Sequence, residues 1–325
     1  MSTIKDVAKL AGVSISTVSY VLNNKGAISR ETKVKVLEAV KELDYRPNGH
    51  ARNLKTKKSK IIALVLYDFD SLVYKDILRG MRDVAKAQGY EVIIIESGNG
   101  KDAVSRILSQ SLVDGAIILS ASIEDKMIAD LASDNFPIVV LDRNLPNEYV
   151  SCVLIDNVRG AYQAVEHMNR KGFKRVGIIT GPKDTYDSIK RLEGFKKAVK
   201  ELDLENNPSW NSCGNFLEDG GYSAMLRLLE SGNHADAYFC ANDEMAIGAI
   251  KACRDKGLSV PQDIGIIGFD DIIICEYISP QITTLRRPSY ESGMIAANNL
   301  IHSLKGETTS NKVILSPELI IRESC

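Results

Sequence analysis

Apolar positions in the first sixty residues recur at helical spacing, in three short bursts divided by polar stops. Ile4, Val7, Ala8 and Ala11 share one face after Thr3, and Asp6 stands where a carboxylate meets free backbone amides and the positive end of the helix dipole. Gly12 ends that segment, Ser14 with Thr17 opens the next, and Val18, Val21 and Leu22 line its inner face. A third helix begins at Ser29, turns Val36, Leu37, Val40 and Leu43 inward, and stops before Pro47. Three short helices around one small apolar cluster, the first two joined by a turn containing glycine, predict a helix-turn-helix unit whose second helix enters the DNA major groove. On that helix Ile15, Ser16, Ser19 and Tyr20 turn away from the core, available to thymine methyls, base edges or phosphates. An amphipathic helical hairpin with surface serines satisfies the same spacing.

From Ile61 the texture changes. Short β-branched runs occupy 61–67, 91–96, 115–120, 137–141, 152–155, 175–180, 236–240, 263–269 and 281–285, with helical patterns between them such as 73–88 and 157–171. Runs that are apolar almost throughout, rather than at alternate positions, predict parallel strands covered on both faces. Nine or more such strands exceed what one doubly wound sheet uses, so the body is expected to be α/β with two similar lobes and a cleft between them.

Charge separates the same two regions. Residues 1–60 carry thirteen Lys/Arg and five Asp/Glu, a net of +8, whereas the remaining residues hold 28 basic and 37 acidic side chains, a net of −9. The N-terminal module therefore suits a polyanion, and the acidic body keeps nonspecific nucleic-acid contacts away. At the junction, residues 46–60 read RPNGHARNLKTKKSK, six basic residues with no acidic one and a single large apolar residue, Leu54.

Six scattered cysteines without a Cys-x-x-Cys spacing, and four histidines without a cluster, suggest neither a metal site nor a disulfide framework, and reduced buried thiols are expected. No apolar run approaches the ~18–20 residues that span a bilayer, and MSTIKDVAKLAG lacks a signal-peptide core, so a cytoplasmic protein with no membrane partner is expected.

Ligands of doubly wound folds bind beyond the carboxyl ends of strands. Those positions hold Asp68 to Tyr74, Asp142 and Arg143, Gly181 to Arg191, Asn242 and Asp243, and Asp270 and Asp271, with Phe216 in a loop. Planar hydrogen-bonding groups with a few aromatic faces suit a small polyhydroxylated or heterocyclic ligand. Competing roles exist: Asp142, Asn242 and Asp270 as helix caps, Arg143 and Arg191 as ion-pair partners, Phe216 as core. The pairs Asp243-Glu244 and Asp270-Asp271 are adjacent residues that point apart and make no acid/base dyad. With no Ser-His-Asp ordering and no phosphate-gripping glycine motif, an enzyme is not expected.

TIKDVAKLAGVSISTVSYVLN and the later LDYRPN closely resemble the N-terminus of the LacI family of bacterial transcriptional repressors. VVLDR, IDNVRGAYQAVEHM, RVGIITGP, RLEGF, CANDEMAIGAI and GLSVPQDIGIIGFDD extend the resemblance to that family's effector domain, which is similar to periplasmic sugar-binding proteins of type I, so essentially the whole chain is covered. The resemblance implies a headpiece over 1–46, a hinge over 47–60 that folds on operator DNA, and an effector-binding and dimerisation domain over 61–325. It implies DNA contacts from Thr3, Ser14, Ile15, Ser16, Thr17, Ser19, Tyr20 and Asn23, and from Ala51, Arg52, Leu54 and Lys55 of the hinge, with Leu54 as a minor-groove wedge. Gly49 and His50 stand where the family more often has Ala-Leu, and glycine costs a helix about 1 kcal/mol relative to alanine.

In the body, the implied effector positions are Val73, Tyr74, Asp142, Arg143, Asp187, Arg191, Phe216, Asn242, Asp270 and Arg287. Val73, Asp187 and Arg287 depart from the family's frequent aromatic, Ser/Thr and Gln, which admits either an Asp–Arg pair or a charged or zwitterionic effector. The expectation is a homodimeric or tetrameric regulator, most simply a repressor, that binds a palindromic double-stranded operator and a sugar or related polar metabolite, without cofactor. A body that responds to a partner protein is the alternative.

Overall fold

The computed structural model describes residues 2–23, 26–45, 58–98, 101–110, 112–307 and 310–325, and the chain divides into two compact units, Met1–Ser59 and Lys60–Cys325. The hinge positions Ala51, Arg52, Leu54 and Lys55, with Gly49 and His50, lie outside the described residues.

The first unit holds helices α1 (Ile4–Ala11), α2 (Ile15–Leu22) and α3 (Arg30–Glu42). Each starts on a hydroxyl residue. Thr3 donates its N–H and its hydroxyl to Asp6 Oδ2 at 2.8 and 2.7 Å, Ser14 Oγ accepts from Thr17 N at 3.1 Å, and Ser29 Oγ accepts from Thr32 N at 3.2 Å. Gly12, with φ 66°, takes the left-handed conformation that ends α1 and opens the turn. Val7, Ala8, Val18, Val21, Val36 and Ala39 form the core. Leu37 corrects the sequence reading: it is 54% exposed, because Val36, Ala39 and Val40 already fill the narrow space between the helices.

Lobe one of the second unit is built on six parallel strands, β1 (Ile61–Leu66), β2 (Glu91–Glu96), β3 (Gly115–Leu119), β4 (Ile138–Leu141), β5 (Val150–Ile155) and β11 (Lys312–Leu315), in the order β11-β5-β4-β3-β1-β2. Alternate residues of β1 serve opposite faces. Ile62, Leu64 and Leu66 pack with Ile77 and Met81 of α4 (Tyr74–Ala87) and Leu300 of α11 (Ser289–Leu304). Ala63 and Val65 pack with Val104 and Leu108 of α5 (Lys101–Ser109) and Ile128 of α6 (Asp125–Leu131). Burial on both faces is why β1, β3, β4 and β5 read as unbroken apolar runs, whereas the edge strands β2 and β11 stay partly exposed.

Lobe two repeats the plan with four parallel strands, β6 (Val176–Thr180), β7 (Asn211–Cys213), β8 (Ala237–Cys240) and β9 (Gly265–Ile267), in the order β7-β6-β8-β9. Helices α7 (Asn157–Arg170) and α8 (Tyr186–Glu201) cover one face, and α9 (Glu218–Glu230) and α10 (Asp243–Asp255) the other. A short antiparallel pair, β10 (Thr284–Arg286) with β12 (Glu318–Ile320), lies at the chain crossings between the lobes. The structure trims the expected run 263–269 to β9, shifts 281–285 to β10, and adds β7, β11 and β12. Cys152, Cys240, Cys253, Cys275 and Cys325 are buried and Cys213 is half-buried, all as free thiols.

Helices α4 and α11 approach closely through glycine. A Cβ on Gly80 would fall 2.1 Å from the Tyr290 carbonyl oxygen, and one on Gly293 would fall 2.1 Å from that of Ile77. Because the obstacle is backbone, Gly80→Ala is expected to force the helices apart and lower stability by about 1–3 kcal/mol, read as a lower urea midpoint.

Candidate functional site

The reading face of α2 follows from its core. Val18 and Val21 point inward, which leaves Ile15 and Tyr20 outward at 46% and 50% exposure. Other candidates are engaged locally. Thr3 holds Asp6, and the Ser14 hydroxyl lies 2.8 Å from those of Ser16 and Thr17. Asn23 Nδ2 donates to the Ser19 carbonyl at 2.7 Å. Ile15, Ser16 and Tyr20 thus form the outer surface of α2, while the hydroxyls of Ser14 and Thr17 help to start it.

In the body, the strand ends bring a set of charged groups together between the lobes. Asp142 follows β4 in lobe one, and its Oδ2 accepts from Arg287 Nη2 at 2.7 Å, where the chain crosses after β10. Arg191 of α8 is 2% exposed and fully committed. Its Nε donates to Asn157 Oδ1 at 2.8 Å and its Nη1 donates to the Ala241 carbonyl. Its Nη2 lies 3.5 Å from Asp270 Oδ1 and 3.8 Å from Asp187 Oδ2, and its guanidinium stacks 3.7 Å from the centre of the Phe269 ring. Asn157 Nδ2 donates to Asp187 Oδ1 at 2.7 Å, so Asn157 fixes both members of the Asp187–Arg191 pair. A cavity of 890 Å³ opens alongside, lined by Val73, Tyr74, Asp270, Ile272, Arg287 and Ser289 among others.

Asp187, Asp270 and the neighbouring Glu244 are held above their ordinary range. Burial raises Asp187, and Asp142 adds to the effect while Arg191 and Arg287 oppose it. Burial likewise takes Asp270 up to about 6 and, together with Asp270 and Asp68, takes Glu244 up to about 7. Tyr74 is pushed to about 12 by burial and by Asp68 and Asp142.

Backbone geometry marks the same loops. Asp142, Phe216, Asp270 and Asp271 have φ of 53°, 69°, 118° and 59°, four of the seven such non-glycine residues among those described. For phenylalanine this conformation is rare, and it lays the Phe216 ring over Gly181, where any Cβ would meet the ring at 2.2 Å.

Of the ten candidates Val73, Tyr74, Asp270 and Arg287 line that cavity, Asp142, Asp187 and Arg191 belong to the charged set beside it, and the other three are committed elsewhere. Arg143 is spent within lobe one on the carbonyls of Ser120 and Ile123 at 2.8 and 2.6 Å and on Asp125 at 3.0 Å. Phe216 packs on the core of lobe two and accepts from Asn242 Nδ2 at 2.7 Å. Asn242 Oδ1 caps α10 by accepting from Met245 N at 3.0 Å, the capping role weighed for it in the sequence. Asp142 and Asp270 do not cap; both meet arginines. The paired acids serve different partners: Asp243 is fully buried against Ile272 N and Thr284 Oγ1 while Glu244 does not share them, and Asp270 meets Arg191 while Asp271 turns to Arg286 and Arg322.

Sequence reasoning did not single out Asn157 or Phe269, and it read Glu244 only as the neighbour of Asp243 in a pair that makes no dyad. Asn157 carried a signal, since it follows β5 at the carboxyl end of the strand. Among the described residues no group of His, Cys, Asp and Glu is placed to hold a metal, and no helix is long and apolar enough to cross a membrane.

A helix-turn-helix unit followed by a two-lobed α/β body with a charged cleft defines a ligand-binding class of DNA-binding regulator. Residues 3–48 match the family of bacterial regulatory proteins, lacI family, and residues 165–325 match a periplasmic binding protein-like domain. The chain is 36% identical over 332 residues to the HTH-type transcriptional repressor PurR of Haemophilus influenzae (strain PittEE), covering 100% of this chain and 98% of that one. It is 35% identical over 328 residues to the HTH-type transcriptional regulator RegA of Clostridium saccharobutylicum, covering 99% of each. Among solved structures, a lac repressor dimer bound to operator and the anti-inducer ONPF is similar with a TM-score of 0.81 and 26% identity over 99% of this chain and 98% of that one. A transcriptional regulator CelR–cellobiose complex is similar with a TM-score of 0.76 and 30% identity over 100% of both chains. The chain belongs to the lacI family and is a DNA-binding transcriptional regulator.

Proposed function

We propose that this regulator is a cytoplasmic repressor that binds a palindromic operator as a homodimer and takes a polar small-molecule effector between its lobes. The observation that carries this reading is the Asp142–Arg287 pair: at 2.7 Å it ties the end of a lobe-one strand to the chain crossing that leads out of lobe two. A ligand that displaces or completes that pair changes how the lobes sit, and the preference for one lobe arrangement is what transmits binding.

A reading head of this size has a small footprint, and two-fold symmetry doubles its contacts. An apolar patch on the body suits the dimer contact, with Tyr277 79%, Ile273 54% and Ile274 37% exposed within one stretch of chain. Residues 1–46, 47–60 and 61–325 then act as reader, hinge and sensor. The lac repressor and CelR complexes support the assignment, one bound to operator and the other to cellobiose.

The test is to select a binding site from randomised duplex DNA with the full chain, expecting two symmetric half-sites. An effector at a hundred times its dissociation constant then adds about 2.7 kcal/mol of stability to the body and changes operator affinity. Asymmetric selected sites would overturn the dimeric reading. In the hinge, Leu54→Ala is expected to cut specific affinity about tenfold to a hundredfold and reduce DNA bending, with nonspecific salt-sensitive binding kept. Equal loss in both kinds of binding would exclude the wedge role.

A further inference from the structure

The cleft holds more carboxylate than cation. The cavity lining has seven carboxylates, Asp270 and Asp271 among them, and four cations, Arg287 among them, and the cations that act most on Asp187 and Asp270 are Arg191 and Arg287, while Glu244 lies in the fields of Asp270 and Asp68. Arg287 is committed to Asp142, and Arg191 is divided between Asp270 at 3.5 Å and Asp187 at 3.8 Å. Among the described residues Glu244 has no cation beside it.

Arg287 supplies an independent observation. Its side chain is 5% exposed and lines the cavity, yet its Nε–H is buried with no hydrogen-bond partner. A buried donor left unmade is costly, so the site is short of an acceptor for Arg287 as well as a cation for its acids. A neutral polyol can donate hydroxyls to the carboxylates but leaves the surplus charge in place. A ligand that carries both a positive nitrogen and a nearby oxygen satisfies both demands.

Resting on the effector reading above, we propose that the ligand of this cleft is an amine-bearing polar metabolite, an amino sugar or an α-amino acid, whose protonated nitrogen meets Asp187 and Asp270 and whose oxygen takes the Arg287 Nε–H. Ligand affinity then rises as the acids lose their protons. The groups facing Asp187 are Asp142 from the end of β4, Arg191 from its own helix, Asp270 from beyond β9 and Arg287 from beyond β10; of the two cations, Arg287 is held by Asp142.

The experiment measures melting shifts and calorimetric affinities of the full chain with shape-matched pairs in which a hydroxyl replaces the protonated amine and serves as its neutral partner: 2-amino-2-deoxyglucose and glucose, alanine and lactate, serine and glycerate. Ribose, cellobiose and the purine bases complete the panel. The expected result is an amine that binds about tenfold or more tighter than its neutral partner, with affinity rising from about pH 6 to about pH 8. Asp187→Asn, and separately Glu244→Gln, should narrow that preference. If a neutral sugar or purine binds and the amines do not, or a neutral partner binds as well as its amine, the amine proposal falls and the effector reading stands. A panel in which no compound binds overturns both.

Discussion

Replacing Arg191 with alanine is expected to abolish the response to effector and to lower the stability of the body by about 3–5 kcal/mol, while operator binding survives. Arg191 is 2% exposed and serves Asn157, Ala241, Asp270 and Asp187 at once. Truncation leaves two buried acids without their cation and two acceptors without a donor, which is the expensive way to break a buried pair. The headpiece is spared because it has a core of its own, from Val7 to Ala39.

The penalty should depend on pH. Asp270 is held at about 6, above its value in the unfolded chain, so its contribution to stability is complete below about pH 4 and is lost as pH rises toward 6. Without Arg191 the carboxyl rises further and the loss continues above pH 6. The difference in melting temperature between wild type and variant should therefore be larger at about pH 8 than at about pH 5. Arg191→Lys separates folding from sensing: it restores a charge but not the planar fork that reaches several partners, so stability should recover more than the response. An Arg191→Ala protein that still answers to effector would remove the cleft as the sensor.

The parts of this structure that were legible in the sequence are those where burial acts along a continuous stretch. β1, β3 and β4 read clearly because both faces are covered, as Leu64 and Val65 of β1 show by facing opposite clusters. β7, Asn-Ser-Cys, did not, because its polar residues become a strand only through register with β6, Ile178 opposite Asn211. Leu37 misled for a related reason: helical spacing names a face but not how much room the neighbouring helices leave.

In the cleft, strand-end positions pointed to Asp142, Asp187, Arg191 and Asp270, but not to their partners. Arg287 meets Asp142 across 145 residues and Arg191 meets Asn157 across 34, distances over which only the fold decides who pairs. The orphaned Nε of Arg287 has no sequence signature, and Phe269 reads as ordinary strand because its stacking with Arg191 is set by the fold alone.

Substitutions on the outer face of α2 should act on DNA without acting on the fold. Ile15 and Tyr20 are 46% and 50% exposed and sit outside the core that Val18 and Val21 make, so truncating either should change stability by no more than about 0.5 kcal/mol. If they read bases, Ile15→Ala and Tyr20→Ala should each weaken the selected operator by about 1–3 kcal/mol, roughly tenfold to a hundredfold, and the two losses should add where they touch separate base pairs. Neither side chain is charged, so the slope of log affinity against log salt should not move, and binding to a scrambled duplex should be unchanged. Val18→Ala makes the contrast, since it empties a fully buried position and should lose both kinds of binding as the headpiece loosens. Anisotropy titrations of each variant on selected and scrambled duplexes, over a range of salt, distinguish the cases. Uniform weakening on both duplexes would make α2 a phosphate-binding helix and move sequence reading elsewhere in the chain.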